Sequence, residues 1–174
     1  TPATSTNANA SDTTSAAGSS NAALPKKLAD RVTQYKTKQV FALTTAQEAK
    51  LKGSCKAAQA KLTGLTTASG IQNATREKTY NNIVKKLETI TTRIKDADVD
   101  TAELDSVNTE LTKLITQYKD DYLILKTNLD DISDIDCLTD PAAFKAALLT
   151  ARANREVLVK DATAIRQYVP TIVL

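Results

Sequence analysis

Few residues in this chain can do chemistry, and the two cysteines come first. Cys55 and Cys137 stand 82 residues apart, and in an exported chain such a pair most simply forms one disulfide. Two other arrangements fit the same sequence: two free thiols, with Cys55 in an apolar seam and Cys137 in a loop, or a bond between copies. An internal bond closing so long a loop would add about 4–5 kcal/mol on the chain-entropy account.

The carboxylates offer less. Asp120-Asp121 and Asp130-Asp131 are adjacent in sequence, so on a helix their side chains diverge by about 100° and read as solvated face rather than as acid/base pairs. Asp130, Asp131, Asp134 and Asp136 could offer oxygen ligands to Ca²⁺ at a helix end. They lack the glycine and closing glutamate of an EF-hand loop, so plain loop acidity is the expectation. The sequence holds no His, Met or Trp, which removes the commonest general base and the commonest transition-metal ligand. Its four glycines are scattered, leaving no phosphate-cradling loop and no nucleophile elbow. The expectation is a non-enzyme, with no catalytic residue, metal, cofactor or small-molecule substrate.

The basic residues are more suggestive. Residues 25–95 carry fifteen Lys/Arg against four Asp/Glu, whereas residues 96–174 carry eight against fifteen. The overall formal charge of +3 conceals this division. Lys50, Lys52, Lys56, Lys85 and Lys86 are candidate contacts for a polyanion, either nucleic acid or a wall polymer, or for another subunit. Few aromatics are available for base stacking, and the acidic half is covalently close. Neutralisation within the molecule, attraction between copies and polymer binding therefore all remain open.

The elements that position these groups are helices. Leu51, Cys55, Ala58, Leu62 and Leu65 step by four and three residues, as do Tyr80, Ile83, Leu87, Ile90, Ile94 and Ala97, the seam of a coiled-coil-like packing. Leu104, Val107, Leu111, Leu114, Tyr118, Leu125 and Ile132 continue the rule, widened by Ile115, Tyr122 and Leu129, so this helix should touch two neighbours. A last stripe runs from Phe144 to Val169. Asp140-Pro141 is a helix start and Pro170 a stop. Thr45 with Glu48, and Asp100 with Glu103, have capping-box spacing.

The predicted fold is all-α: an elongated antiparallel bundle or coiled-coil-like hairpin of four to five helices, turning at Asp98-Val99-Asp100. A first helix covers about 26–42, and Thr44-Thr45 either breaks or bends it from the next. Cys55 and Cys137 look tens of Å apart in a full-length up-and-down register. The second helix is therefore expected to end near Leu62, with the stretch from Thr63 to Gly70 running back along the bundle, since Gly64, Thr66, Thr67, Ser69 and Gly70 are poor helix residues.

Residues 1–24 form a separate zone of ten Ser/Thr, seven Ala, three Asn and one acid. That composition cannot bury a core and predicts a disordered or extended linker or tail preceding a helical domain at 25–174. Asn9-Ala10-Ser11 and Asn73-Ala74-Thr75 match the N-glycosylation pattern, a weak signal in a chain so rich in Asn and Thr. A start at Thr1 is expected of an exported chain that has lost its signal peptide, and no apolar run reaches the ~20 residues of a membrane span.

Leu43 to Gln59, Tyr80 to Leu87, Val99-Asp100-Thr101, and Cys137 ahead of Asp140-Pro141 together resemble a group of uncharacterised secreted helical two-cysteine proteins from small-genome bacteria of the candidate phyla radiation. The likeness covers most of residues 26–169. It implies an exported helical protein with a paired cysteine at or beyond the cell surface, and brings no activity, cofactor or catalytic residue. The ending at Pro170 to Leu174 is shorter than the C-terminal part of that group, which suggests truncation. The expected function is a secreted, cell-surface structural or protein-interaction module, in its sharper form a self-assembling filament or surface-layer subunit. The alternative is an anionic-polymer binder acting through the basic helices.

Overall fold

The computed structural model describes residues 24–39 and 41–171, which form four helices. They are α1 (Leu28–Lys38), α2 (Thr45–Lys95), α3 (Ala102–Asp134) and α4 (Pro141–Thr171). The tail expected over residues 1–24 lies outside the described residues except for Leu24, as do Ile172 to Leu174.

α1 and α2 are separate. Thr44 caps α2 by a reciprocal box, its Oγ1 accepting from the Gln47 N–H while Gln47 Oε1 accepts from the Thr44 N–H. This corrects the box expected at Thr45 and Glu48 by one residue, because the extended backbone needed at a cap falls at Thr44.

α2 then continues unbroken for 51 residues, a rod of about 75 Å. The expected end near Leu62 and the returning segment from Thr63 to Gly70 do not exist. The threonines there are accommodated inside the helix, with Thr63, Thr66 and Thr67 donating their hydroxyls to carbonyls four residues back. Their weak propensity costs only a few tenths of a kcal/mol each, less than restarting a helix would.

The cysteine geometry needs no such detour. Cys55 and Cys137 each lie 41 residues from Asp96, and the hairpin turns immediately after that residue, between α2 and α3. A full-length antiparallel register therefore sets them side by side, and they form an internal disulfide with Cα atoms 6.0 Å apart. The same register is visible along the whole pair. Tyr80 meets Tyr118 edge to face at 5.4 Å, Lys119 donates to Asn81, and Gln59 reaches the carbonyls of Ile132 and Ile135.

At the turn, the Val99 N–H reaches back to the Ile94 carbonyl while Asp98 takes a left-handed φ of 57°, the closure usual at a helix C-terminus. Asp100 accepts from the Ala102 N–H, but Thr101 occupies the cap position and no box with Glu103 forms.

α3 is the central helix, as its broad stripe predicts. Leu111, Ile115, Tyr118, Leu125 and Ile132 are buried along it, against Phe144, Ala147, Ala151, Leu158 and Ile165 of α4. α4 starts where expected, Asp140 Oδ1 accepting from the Ala143 N–H at 2.9 Å ahead of Pro141, and returns antiparallel to α3. No described helix is long and apolar enough to cross a membrane.

Candidate functional site

The five lysines singled out in the sequence are all exposed on α2, but they do not converge. Lys50, Lys52 and Lys56 lie at the disulfide end, and Lys85 and Lys86 lie some 30 residues further along an unbroken helix, roughly 50 Å away. Lys85 and Lys86 line a shallow recess with Asn82, Thr89 and the half-exposed Ile90.

The charge division becomes a division between helices. α2 holds ten Lys/Arg and three acids and lies along α3, which holds eight acids and three lysines. Yet no cation of α2 makes an ion pair with a described residue. The ion pairs join α1 to α3, α1 to the Asp140 cap, and neighbours within α3. Lys56 acts only at longer range, its charge adding to the pull that the Leu138 N–H and Thr139 hydroxyl exert in holding Asp136 below the usual carboxylate range. The cations of α2 are therefore neutralised only diffusely, and the same helix carries the exposed apolar residues Leu65, Ile71 and Ile90.

A groove of about 450 Å³ opens between α2 and α4, which touch each other far less than either touches α3. Tyr80 and Ile83 from α2 and Ala162 and Val169 from α4 line it, with Val159 51% exposed at its lip. Arg76 stands on the α2 wall and Arg166 on the α4 wall, both exposed, and no acid among the described residues lines the groove.

The carboxylates divide by face rather than by sequence position. Asp120 and Asp130 are exposed, whereas Asp121 and Asp131 are buried; the reading of both pairs as solvated faces fails for the second member of each, because a 100° step turns it into the α3 seam. Asp131 accepts a two-pronged bond from Arg31 at 2.7 and 2.6 Å and another from the Tyr35 hydroxyl at 2.5 Å. Asn128 and Asn154 extend this network. Burial, then Asp131, pushes the Tyr35 phenol up. These contacts tie α1, which packs mainly against α4, to the end of α3.

Asp121 faces Asp161 across the α3–α4 seam, and Gln117 donates to Asp161 at 3.1 Å. Burial, reinforced by the Asp121 carboxyl, pushes Asp161 up to about 6. Facing carboxylates resemble acid/base machinery, but each of these residues is more than nine-tenths buried and neither lines the groove. Among the described residues, no group of three or more His, Cys, Asp or Glu is placed to hold a metal ion; the acidic run from Asp130 to Asp136 splits between solvent, the α1 contact and the loop.

Sequence reasoning missed Arg76, Arg166, Gln59, Asp121 and Asp161. For Asp121 the signal was present, since it falls beside Tyr122 on the wide apolar stripe of α3. The arginines have no local signal, because the groove joins positions 76 and 166 only through the fold.

Comparison with family models, with curated proteins and with solved structures finds no match for this chain.

Proposed function

We propose that this protein is a non-catalytic protein-interaction module: a disulfide-locked helical rod that presents the basic side of α2 to an acidic protein surface. The observation that carries this reading is the set of ten α2 cations, none in an ion pair with a described residue although an acidic helix lies alongside. Cations left in solvent keep their field, which draws in an acidic partner and fixes its orientation. A secreted, cell-surface setting is part of the proposal and is supported by the internal disulfide. A self-assembling subunit is its sharper form. There the basic α2 of one copy would lie against the acidic α3 of the next, side by side rather than end to end.

A second reading, binding of an anionic polymer, is favoured by Lys85 and Lys86 lining one recess. One experiment separates the readings. Binding of poly-glutamate and of heparin to the native chain is followed in about 20 to 500 mM salt, a range over which screening shortens from about 20 Å to a few Å. Light scattering runs alongside. Saturable, salt-sensitive binding of poly-glutamate that is lost when Lys50, Lys52, Lys56, Lys85 and Lys86 are all changed to Gln supports the module. Polymers that dissolve with salt favour the self-assembling form, and heparin binding alone favours the second reading. A monomer that binds neither polymer removes all three.

A further inference from the structure

We propose that the groove between α2 and α4 is a docking site for an acidic amphipathic helix of a partner protein. This rests on the interaction-module reading and gives it a location and a ligand chemistry.

The argument begins with shape. Both walls are helices antiparallel to α3, so they run parallel to each other and leave a trough open along its length. On α4 the lining positions Val159, Ala162, Arg166 and Val169 recur at three- and four-residue steps over ten residues, about 15 Å. That is three turns, the span over which an i, i+4, i+7 ridge of another helix can seat. The floor is apolar and Val159 is half in solvent, an arrangement that burial under a partner's aliphatic stripe would relieve.

Charge selects the occupant. Arg76 and Arg166 stand on opposite walls, neither in an ion pair with a described residue, and no acid among the described residues lines the groove. Arginine's planar fork suits a carboxylate accepting two bonds. Glu or Asp residues flanking an aliphatic stripe would meet both arginines, whereas Lys or Arg flanks would face like charge.

A second copy of this chain is a poor fit. Among the described residues, Leu123 is the one large apolar side chain exposed on acidic α3, and the hairpin tip offers Val99 alone between Asp98 and Asp100. Neither provides an aliphatic ridge three turns long.

The test uses the native disulfide-bonded chain and three fluorescein-labelled 18-residue peptides, read by anisotropy at low salt. One is a helix former with leucines at three- and four-residue spacing flanked by Glu, the second has Lys in place of Glu, and the third scrambles the first. The Glu-flanked peptide is expected to bind saturably and at least tenfold more tightly than the other two. Val159→Asp should weaken it at least tenfold, as should the double change Arg76→Glu with Arg166→Glu, whose exposed positions leave the fold intact by circular dichroism. Lys26→Gln with Lys27→Gln, exposed residues just ahead of α1 and outside the groove, should change it less than twofold. Equal binding of the scrambled peptide, or indifference to both groove variants, overturns the docking site. If poly-glutamate still binds in that case, the α2 surface stands without the groove; if nothing acidic binds, both proposals fall.

Discussion

Gln59 on α2 donates from Nε2 to the carbonyl oxygen of Ile135 at 2.8 Å, just past the end of α3, and to the Ile132 carbonyl at the same distance. Carbonyls in the last turn of a helix have no partner within it, and here a buried amide from the neighbouring helix supplies one, one turn beyond Cys55. Gln59→Leu removes both bonds while keeping the volume. A loss of about 2 kcal/mol is expected in urea unfolding; a change below about 0.5 kcal/mol would show that water serves these carbonyls equally well.

Removing the disulfide by Cys55→Ala with Cys137→Ala should cost about 4 kcal/mol, as expected for the 82-residue separation. Because the hairpin register sets the two positions side by side without the bond, the variant should keep its helical circular dichroism while its midpoint falls. Collapse of the helical signal at low temperature would contradict that register.

Gly53 and Gly64 lie inside α2, and a methyl group at either would meet nothing within 4 Å. Gly53→Ala and Gly64→Ala should therefore each stabilise the protein by about 0.5–1 kcal/mol through backbone entropy and helix propensity. Thermal unfolding of the double variant is the measurement. A lower midpoint would mean that α2 bends or breaks at these residues.

Asp161 should make stability fall as pH rises. Its folded-state carboxyl is raised to about 6, well above the ordinary aspartate range, by burial and by Asp121. The folded protein thus holds a proton that the unfolded chain releases. This contribution is fully present below about pH 4 and is lost as pH climbs through about 6. Asp161→Asn should remove that slope and stabilise the protein at pH 7.5 by about 1–2 kcal/mol. Denaturant midpoints from pH 4 to 8 test this, and parallel profiles for the two proteins would rule out a proton held by Asp161.

Asp131→Ala should free α1. The buried carboxylate holds both Arg31 and Tyr35, and its loss leaves a guanidinium and a phenol without their shared acceptor, at a cost of about 3 kcal/mol or more. Amide exchange in Leu28–Lys38 should accelerate before that of α3 or α4. Uniform acceleration throughout the bundle would instead make α1 part of one cooperative unit.

Local sequence determined the helices and their facing. The three- and four-residue steps from Tyr80 to Ile94 and from Leu111 to Ile132 can bury side chains only on a helix, the wider α3 stripe announces two neighbours, and Asp140-Pro141 starts α4 through capping chemistry confined to a few residues. Even the Cys55–Cys137 pairing was implicit, since both lie 41 residues from Asp96, just ahead of the turn that Asp98-Val99-Asp100 marks. Tertiary structure decided the rest. α2 runs through Gly64 and Gly70 because helix cooperativity and the long contact with α3 outweigh weak local propensity. Asp121 turns inward to meet Asp161, and Arg76 comes to share a groove with Arg166, because antiparallel packing brings together residues tens of positions apart. No periodicity within either helix encodes that meeting; it depends on the register between them.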